Sequence, residues 1–257
     1  MIPMNRVTFA TGLLVAMGGV GIAAHSLHPA LIVMSTTAIA AAPGVPDTPA
    51  DAADPTVVEL YQSQGCSSCP PANANVNAIA DRPGILALNF AVTYWDYLGW
   101  KDVFAAPAYT ARQWEYANAA GRAQVSTPQV IINGRAAVVG SNAATLAAAI
   151  RDNARKTPGP TIAAIGGRVT VGAAPASAGA TVWLVRYDPR SLAVPIRAGE
   201  NDGRTLDHRN IVRSLAALGN WRGATVSFSI PAGDPAYRSA ILVQLGKGGP
   251  IIAAARI

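Results

Sequence analysis

The chain has 257 residues, 51% of them hydrophobic and 13% charged: enough apolar material for one large or two modest cores, and too much for a disordered chain. Its formal net charge is +6, but the cations are scattered. The one tight group, Arg151, Arg155 and Lys156, sits where a helix C-terminus accommodates positive charge, so the basic balance describes a dispersed surface and not a nucleic-acid stripe.

From Val7 to Ala24 the sequence VTFATGLLVAMGGVGIAA carries no charge and follows Arg6, the pattern of an export signal. After a polar break at His25, Ser26 and His28, a second apolar stretch ends at Ala38-Ile39-Ala40, a small-residue pattern that fits cleavage near Ala40. The first run is also just long enough to span a bilayer. Residues 1–40 are therefore expected to be a signal peptide, with an uncleaved anchor as the alternative and the one expected membrane contact. The remainder is expected to be periplasmic or secreted. Residues 41–55, AAPGVPDTPADAADP, lack a periodic apolar face and read as a linker.

Thr56 to Tyr61, TVVELY, is a β-branched and aromatic run of strand length. SQGCSSCPP follows, then ANANVNAIA, in which Ala72, Val76, Ile79 and Ala80 share one helical face. Pro83-Gly84 breaks the helix, and Ile85 to Thr93, ILALNFAVT, is a continuous apolar strand of the kind buried on both faces. Two strands joined by a helix make a right-handed parallel crossover. Tyr94 to Ala106 is an aromatic-rich loop, and Pro107 to Ala120 is a helix with Pro in its first turn and Gly121 at its end. Gln129 to Asn133 and Arg135 to Val139 flank Asn133-Gly134, the signature of a two-residue hairpin. Ser141 or Asn142 caps a last helix that runs to about Lys156.

Thr157 to Pro160, TPGP, reads as a boundary between a domain at 56–156 and a second at 157–257. Beyond it lie short apolar runs at 161–165, 168–173, 180–187, 192–197, 224–230, 239–245 and 250–256, separated by Gly, Pro and Asp, a spacing that predicts an antiparallel sandwich. Asp207 to Leu218 is compatible with either strand or helix. Between 199 and 210 the residues Glu200, Asn201, Asp202, Arg204, Asp207, His208 and Arg209 form a polar cluster. It reads as a hydrogen-bonded loop between strands, with ligand or ion binding as the alternative.

The chain holds two cysteines, Cys66 and Cys69, separated by Ser67 and Ser68. Zinc would need two further thiolate or imidazole ligands, and the one His beyond the first 40 residues is His208, in the other predicted domain. Copper held by two thiolates lacks nearby His or Met ligands. A purely structural disulfide would close a very short loop and return little chain-entropy stabilisation. A redox pair fits best. With Cys66 at the N-cap, the unpaired N–H groups and the dipole of the helix favour a negative sulfur, and Ser67 and Ser68 supply hydroxyl donors. Cys66, as the more exposed sulfur, attacks, and Cys69, facing inward, resolves the mixed disulfide. No catalytic triad, phosphate loop or carboxylate pair is present to argue for other chemistry, so neither a cofactor nor a metal is expected.

A C-x-x-C that follows a strand, opens a helix and is joined by Thr127-Pro128 directly before a strand resembles the thioredoxin superfamily. More narrowly, VELYQSQGCSSCPPAN, VTYWDYLGWKDVFAAPAYTARQ, STPQVIINGRAAVVGSN and AGENDGRTLDHRNIVR resemble a bacterial family of secreted thioredoxin-like proteins whose function is uncharacterised. The resemblance implies an α/β thioredoxin-like fold followed by a smaller all-β sandwich-like domain. It implies a cis Pro128 beside the cysteines, with Thr127 and Pro128 in a substrate groove. It does not carry over a direction of electron flow, because the dipeptide between the cysteines is Ser-Ser, nor a proton-transfer role for Glu59, which lies near but not at the place of the buried carboxylate in thioredoxins. Tyr94, Trp95, Tyr97 and Trp100, with Asp96, Lys101 and Asp102, concentrate aromatic and charged groups in one loop and suit a binding surface near the cysteines, a lid packed on the sheet or the contact with the second domain.

The expected function is an exported thiol-disulfide oxidoreductase acting on protein or small-molecule thiols with a redox partner protein. The alternative is a non-enzymatic binding module whose disulfide is a staple.

Overall fold

The computed structural model describes residues 54–176 and 178–257. The expected export segment, and the linker apart from Asp54 and Pro55, lie outside the described residues.

Three helices and a run of strands follow the predicted order: β1 (Thr56–Gln62), α1 (Cys69–Asn77), β2 (Ile85–Ala91), α2 (Pro107–Ala119), β3 (Gln129–Ile132), β4 (Ala136–Val138) and α3 (Ala143–Asp152). Asn142, not Ser141, caps α3, its side chain accepting the Thr145 N–H. Asn133 and Gly134 both adopt positive φ, as the tight β3–β4 turn requires. The second half supplies β5 (Ile162–Ile165), β6 (Arg168–Val171), β7 (Ala180–Asp188), β8 (Leu192–Pro195), β9 (Thr205–His208), β10 (Ile211–Trp221), β11 (Val226–Ser229), β12 (Arg238–Leu245) and β13 (Ile251–Arg256). The segment Asp207 to Leu218, compatible with either strand or helix, holds the end of β9 and most of β10.

The main sheet has eight strands in the order β13-β12-β7-β10-β2-β1-β3-β4. β1 and β2 are parallel, and β1 runs antiparallel to β3. Every residue of β1 and β2 is buried, as expected for strands covered on both faces. Side-chain alternation then sorts the core. Val58 and Leu60 meet Ala72 and Val76 of α1, Ile79 just beyond it, and Leu146 and Ile150 of α3. Val57 and Tyr61 point the other way, with Phe90, Tyr109 and Tyr116, into a cluster that continues through Val185, Val212 and Leu242. A three-stranded sheet, β11-β6-β5, packs Val169 and Val171 against Val182, Leu184, Ile241 and Val243.

The boundary read at Thr157–Pro160 does not divide the structure: the described chain falls into one compact unit. The join is β2 against β10. Asn210, at positive φ, offers its carbonyl to the Asn89 N–H (2.9 Å) and donates its side-chain amide to the Ala87 carbonyl (2.9 Å). The edge of β2 away from β1 is taken by the second half of the chain; an open edge on so apolar a strand would expose unpaired backbone groups.

Candidate functional site

The cysteine turn leaves β1 at Gln62 and enters α1 at Cys69. The N-cap is Ser68, so Cys66 lies two residues before the cap and not at it as the sequence suggested. Pro70 and Pro71 fall in the first turn, where no intrahelical N–H bond is lost. Cys66 and Cys69 are joined in a disulfide. The Cys69 N–H closes the turn on the Cys66 carbonyl (3.2 Å), and Ser68 Oγ lies 3.3 Å from Cys66 Sγ.

Of the predicted substrate-side residues, Thr127 and Pro128 come to this turn. Their peptide bond is cis, and the Thr127 carbonyl accepts the Ser68 hydroxyl (3.5 Å). The aromatic loop is drawn in as well. Trp95 Nε1 donates to Thr127 Oγ1 (2.7 Å) and Trp100 Nε1 to Gln64 Oε1 (2.8 Å), so both indoles frame the turn. Tyr97 does not join them; it is 78% exposed.

The expected exposure of Cys66 is not observed. Cys66 is 0% and Cys69 1% exposed, although Ser67 and Ser68 between them are open to solvent. Against the turn lies the loop 196–204 between β8 and β9, which belongs to the second predicted domain. Glu200 Oε2 accepts both the Ser67 N–H (2.9 Å) and the Ser67 hydroxyl (2.7 Å), and these bonds hold its carboxyl below the ordinary range. Asn201, itself buried, donates Nδ2 to the Gln64 and Cys66 carbonyls, each at 2.9 Å. Gly199 lies against Gly65, Leu98 and Trp100 at positive φ, a conformation suited to glycine.

Behind the turn is a second layer that sequence reading did not assign to the site. The carboxylate of Asp102, 1% exposed, accepts the Gln64 N–H (2.8 Å) and the Phe104 N–H (2.9 Å). Burial pushes its pKa up to about 6. Asn73, one helical turn after Cys69, accepts from the Asn89 side chain (2.7 Å) and donates toward His208 Nδ1 (3.3 Å). His208 is 0% exposed, and burial lowers its pKa to about 4, leaving a neutral ring. The i, i+4 spacing of Cys69 and Asn73 was visible in the sequence; their link to residues more than 130 positions later was not.

Glu59 is fully buried on the face of β1 that meets α2, where Arg112 Nε donates to Oε1 (2.9 Å) and the Tyr116 hydroxyl to Oε2. Arg112 also donates to Gln244 (3.0 Å). Burial opposes the arginine charge, but the carboxylate more than offsets this and keeps Arg112 protonated. Glu59 thus serves a buried ion-pair network, with both oxygens committed.

Among the described residues no group of three or more His, Cys, Asp or Glu side chains is arranged to hold a metal ion, and no helix is long and apolar enough to cross a membrane. One open groove of about 510 Å³ reaches the site, running from Pro70 along α1 past Asn73 and Asn77, with Arg204, Asp207 and Arg209 on its far wall.

Comparison with known proteins follows the same outline. The profile of DUF1223, a protein family of unknown function, matches residues 57–244, which includes both the cysteine turn and the loop bonded to it. No curated protein matches the chain. Among solved structures, protein AGR_C_4864 from Agrobacterium tumefaciens is 29% identical, with a TM-score of 0.66 over 79% of this chain and 93% of its own. HBP35 of Porphyromonas gingivalis is 12% identical, with a TM-score of 0.54 over 79% of this chain and 74% of its own, a likeness of fold alone.

Proposed function

We propose that this chain, which belongs to the DUF1223 family, is an exported, thioredoxin-like thiol-disulfide oxidoreductase working through Cys66 and Cys69. One observation carries the reading: the disulfide of a C-x-x-C at the entrance to α1 shares its turn with the Thr127–Pro128 bond, whose carbonyl lies within hydrogen-bond reach of Ser68. A structural staple has no use for a backbone acceptor beside it. A client chain lying along Thr127 does.

The chemistry is thiol exchange. In the reducing direction the Cys66 thiolate attacks one sulfur of a client disulfide, forming a mixed disulfide and expelling the other client sulfur as a thiolate that takes up a proton. Cys69, as thiolate, then attacks Cys66 Sγ and releases the second client thiol, so that two electrons pass to the client and the pair ends oxidised. The oxidising direction is the reverse, and the potential of the pair relative to its compartment decides between them. Ser68 Oγ, at 3.3 Å from Cys66 Sγ, can turn its one hydrogen from the Thr127 carbonyl to a negative sulfur. Trp95 and Trp100 hold Thr127 and Gln64 in place, and Tyr97, projecting into solvent, offers an aromatic contact to a client. Both sulfurs are buried, so catalysis requires the turn to open, together with the loop 196–204 that is bonded to it.

That burial favours a second reading, a binding module in which the disulfide is structural. The reduction potential of the pair separates the two. The oxidoreductase is expected to titrate in the range of exchanging enzymes, above about −300 mV, and to reduce or oxidise a protein substrate such as insulin with all activity lost in Cys66→Ser. A potential below that level, with no exchange in either direction, overturns the proposal in favour of the staple.

A further inference from the structure

The polar cluster at 199–210 has no part in the exchange reaction itself, yet two of its residues, Glu200 and Asn201, reach the cysteine turn across more than 130 positions of chain. Their contacts are specific. A single carboxylate oxygen of Glu200 takes both donors that Ser67 has to offer, the backbone N–H and the hydroxyl. Asn201 Nδ2 bridges the carbonyls on either side of Gly65, and its own Oδ1 accepts from Arg204 (2.7 Å). Together they bind the backbone on both sides of Cys66, a residue that is 0% exposed.

We propose that Glu200 is a positioning residue that gates the cysteine pair: it holds the loop 196–204 against the cysteine turn while the disulfide is intact and is displaced when Cys66 becomes a thiolate. The argument is one of competing anions. The Ser67 N–H and hydroxyl adjoin Cys66 at the mouth of α1, and in the oxidised protein the neutral disulfide makes no demand on them, so the Glu200 carboxylate is free to occupy both. When a dithiol reductant gives two electrons to the pair, the S–S bond breaks, two thiols form and the reductant closes its own disulfide. Ionisation of the Cys66 thiol, with its proton passing to water, then puts a second negative charge beside the same donors. Two unit charges that share neighbouring donors repel, and the carboxylate, on an exposed side chain midway along the loop, is the one that can leave. The coupling is reciprocal: whatever the thiolate does to expel Glu200, Glu200 does equally to suppress the thiolate. The other charged groups of the loop are Arg197, Asp202 and Arg204, and behind the turn stands Asp102, whose carboxylate is anchored by the Gln64 and Phe104 N–H groups; among the described residues none of them bonds to Ser67. The gate rests on the oxidoreductase reading for its use, since a staple has no client to admit.

Reduction of the full chain by dithiothreitol, followed by alkylation and mass measurement, tests the gate in three variants. Glu200→Gln keeps the shape and removes the charge, and its disulfide is expected to be reduced roughly tenfold faster, charge-assisted hydrogen bonds being about twice as strong as neutral ones. Asn201→Ala should also accelerate reduction, and Glu200→Asp should fall between Glu200→Gln and the parent chain. In the reduced protein, the pH profile of Cys66 alkylation should move to lower pH in Glu200→Gln, an effect that mere loosening of a loop does not produce when the charge is restored in Glu200→Asp. Equal reduction rates in all four chains, or an unmoved alkylation profile, overturn the gate. Those results are independent of the activity assay: unchanged rates with a working oxidoreductase defeat the gate alone, and accelerated reduction without any client exchange defeats the enzymatic reading alone.

Discussion

Replacing His208 with Phe is expected to make the protein gain stability, relative to the parent chain, as the pH falls from 6.5 to 4. The reason lies in two buried groups of opposite sign. His208 has its pKa lowered from 6.5 to about 4 by burial, so as acid is added the unfolded chain takes a proton before the folded one can. The stability that the neutral imidazole retains above pH 6.5 is lost between 6.5 and 4, by about 3 kcal/mol at 1.4 kcal/mol per pH unit. Asp102 works in the reverse sense. Its pKa is raised from 3.8 to about 6 by burial, so the cost of keeping a buried carboxylate charged is present above pH 6 and disappears on the way to 3.8, a gain of about 3 kcal/mol. In the parent chain the two changes nearly cancel. His208→Phe keeps the ring edge that meets Phe104 and leaves the gain uncovered, whereas Asp102→Asn leaves the loss. The measurement is urea unfolding of all three chains at pH 4, 5, 6 and 7 with the disulfide intact. Comparing slopes with pH removes the contribution of Asp188 and Glu200, whose pKa values are lowered in every chain. Three parallel profiles would refute the assignment of both burial-shifted groups.

Two further predictions concern the frame of the site. Arg112→Ala strands the Glu59 carboxylate on a strand with no solvent contact, and a loss of about 3–5 kcal/mol is expected in urea unfolding at pH 7; a loss under about 1 kcal/mol would mean that the carboxylate finds another partner or water. Asn133 holds three separate segments: its Oδ1 accepts from Val57 (2.8 Å) and Arg155 (2.6 Å), and its Nδ2 donates to Asn153 (2.9 Å). It does so at a φ of 48°. Asn133→Gly relieves the backbone and deletes the bonds, while Asn133→Ala deletes the bonds and keeps the backbone strain, so Asn133→Ala is expected to be the less stable by about 1 kcal/mol, read as a difference in urea midpoint.

Much of this molecule could be read residue by residue. The strand-turn-helix around the cysteines, Pro107 at the start of α2, and the seven apolar runs of the second half all correspond to observed elements, because each signal is local: a period of 2 or 3.6, a proline without its N–H, a glycine that tolerates positive φ. The turn at Asn133-Gly134 belongs with them, although its further duty as a tie between Val57, Asn153 and Arg155 does not. The strand nature of Asp207 to Leu218 was ambiguous for the same reason: alternation there is interrupted by two register shifts between β10 and β7, which blur a period-2 pattern.

What the linear pattern alone determined was therefore the inventory of elements and the pairing of two cysteines on one turn. Tertiary structure decided how accessible that pair is. Ser67 and Glu200 are 133 positions apart and meet only because β10 closes on the edge of β2, carrying the β8–β9 loop onto the mouth of α1. Such a contact leaves no periodicity behind, since polar side chains in a loop look alike whether they face water or a partner. The same holds for Asp102 and His208, whose types are ordinary and whose burial, the source of their displaced titration, depends on what the rest of the chain packs around them.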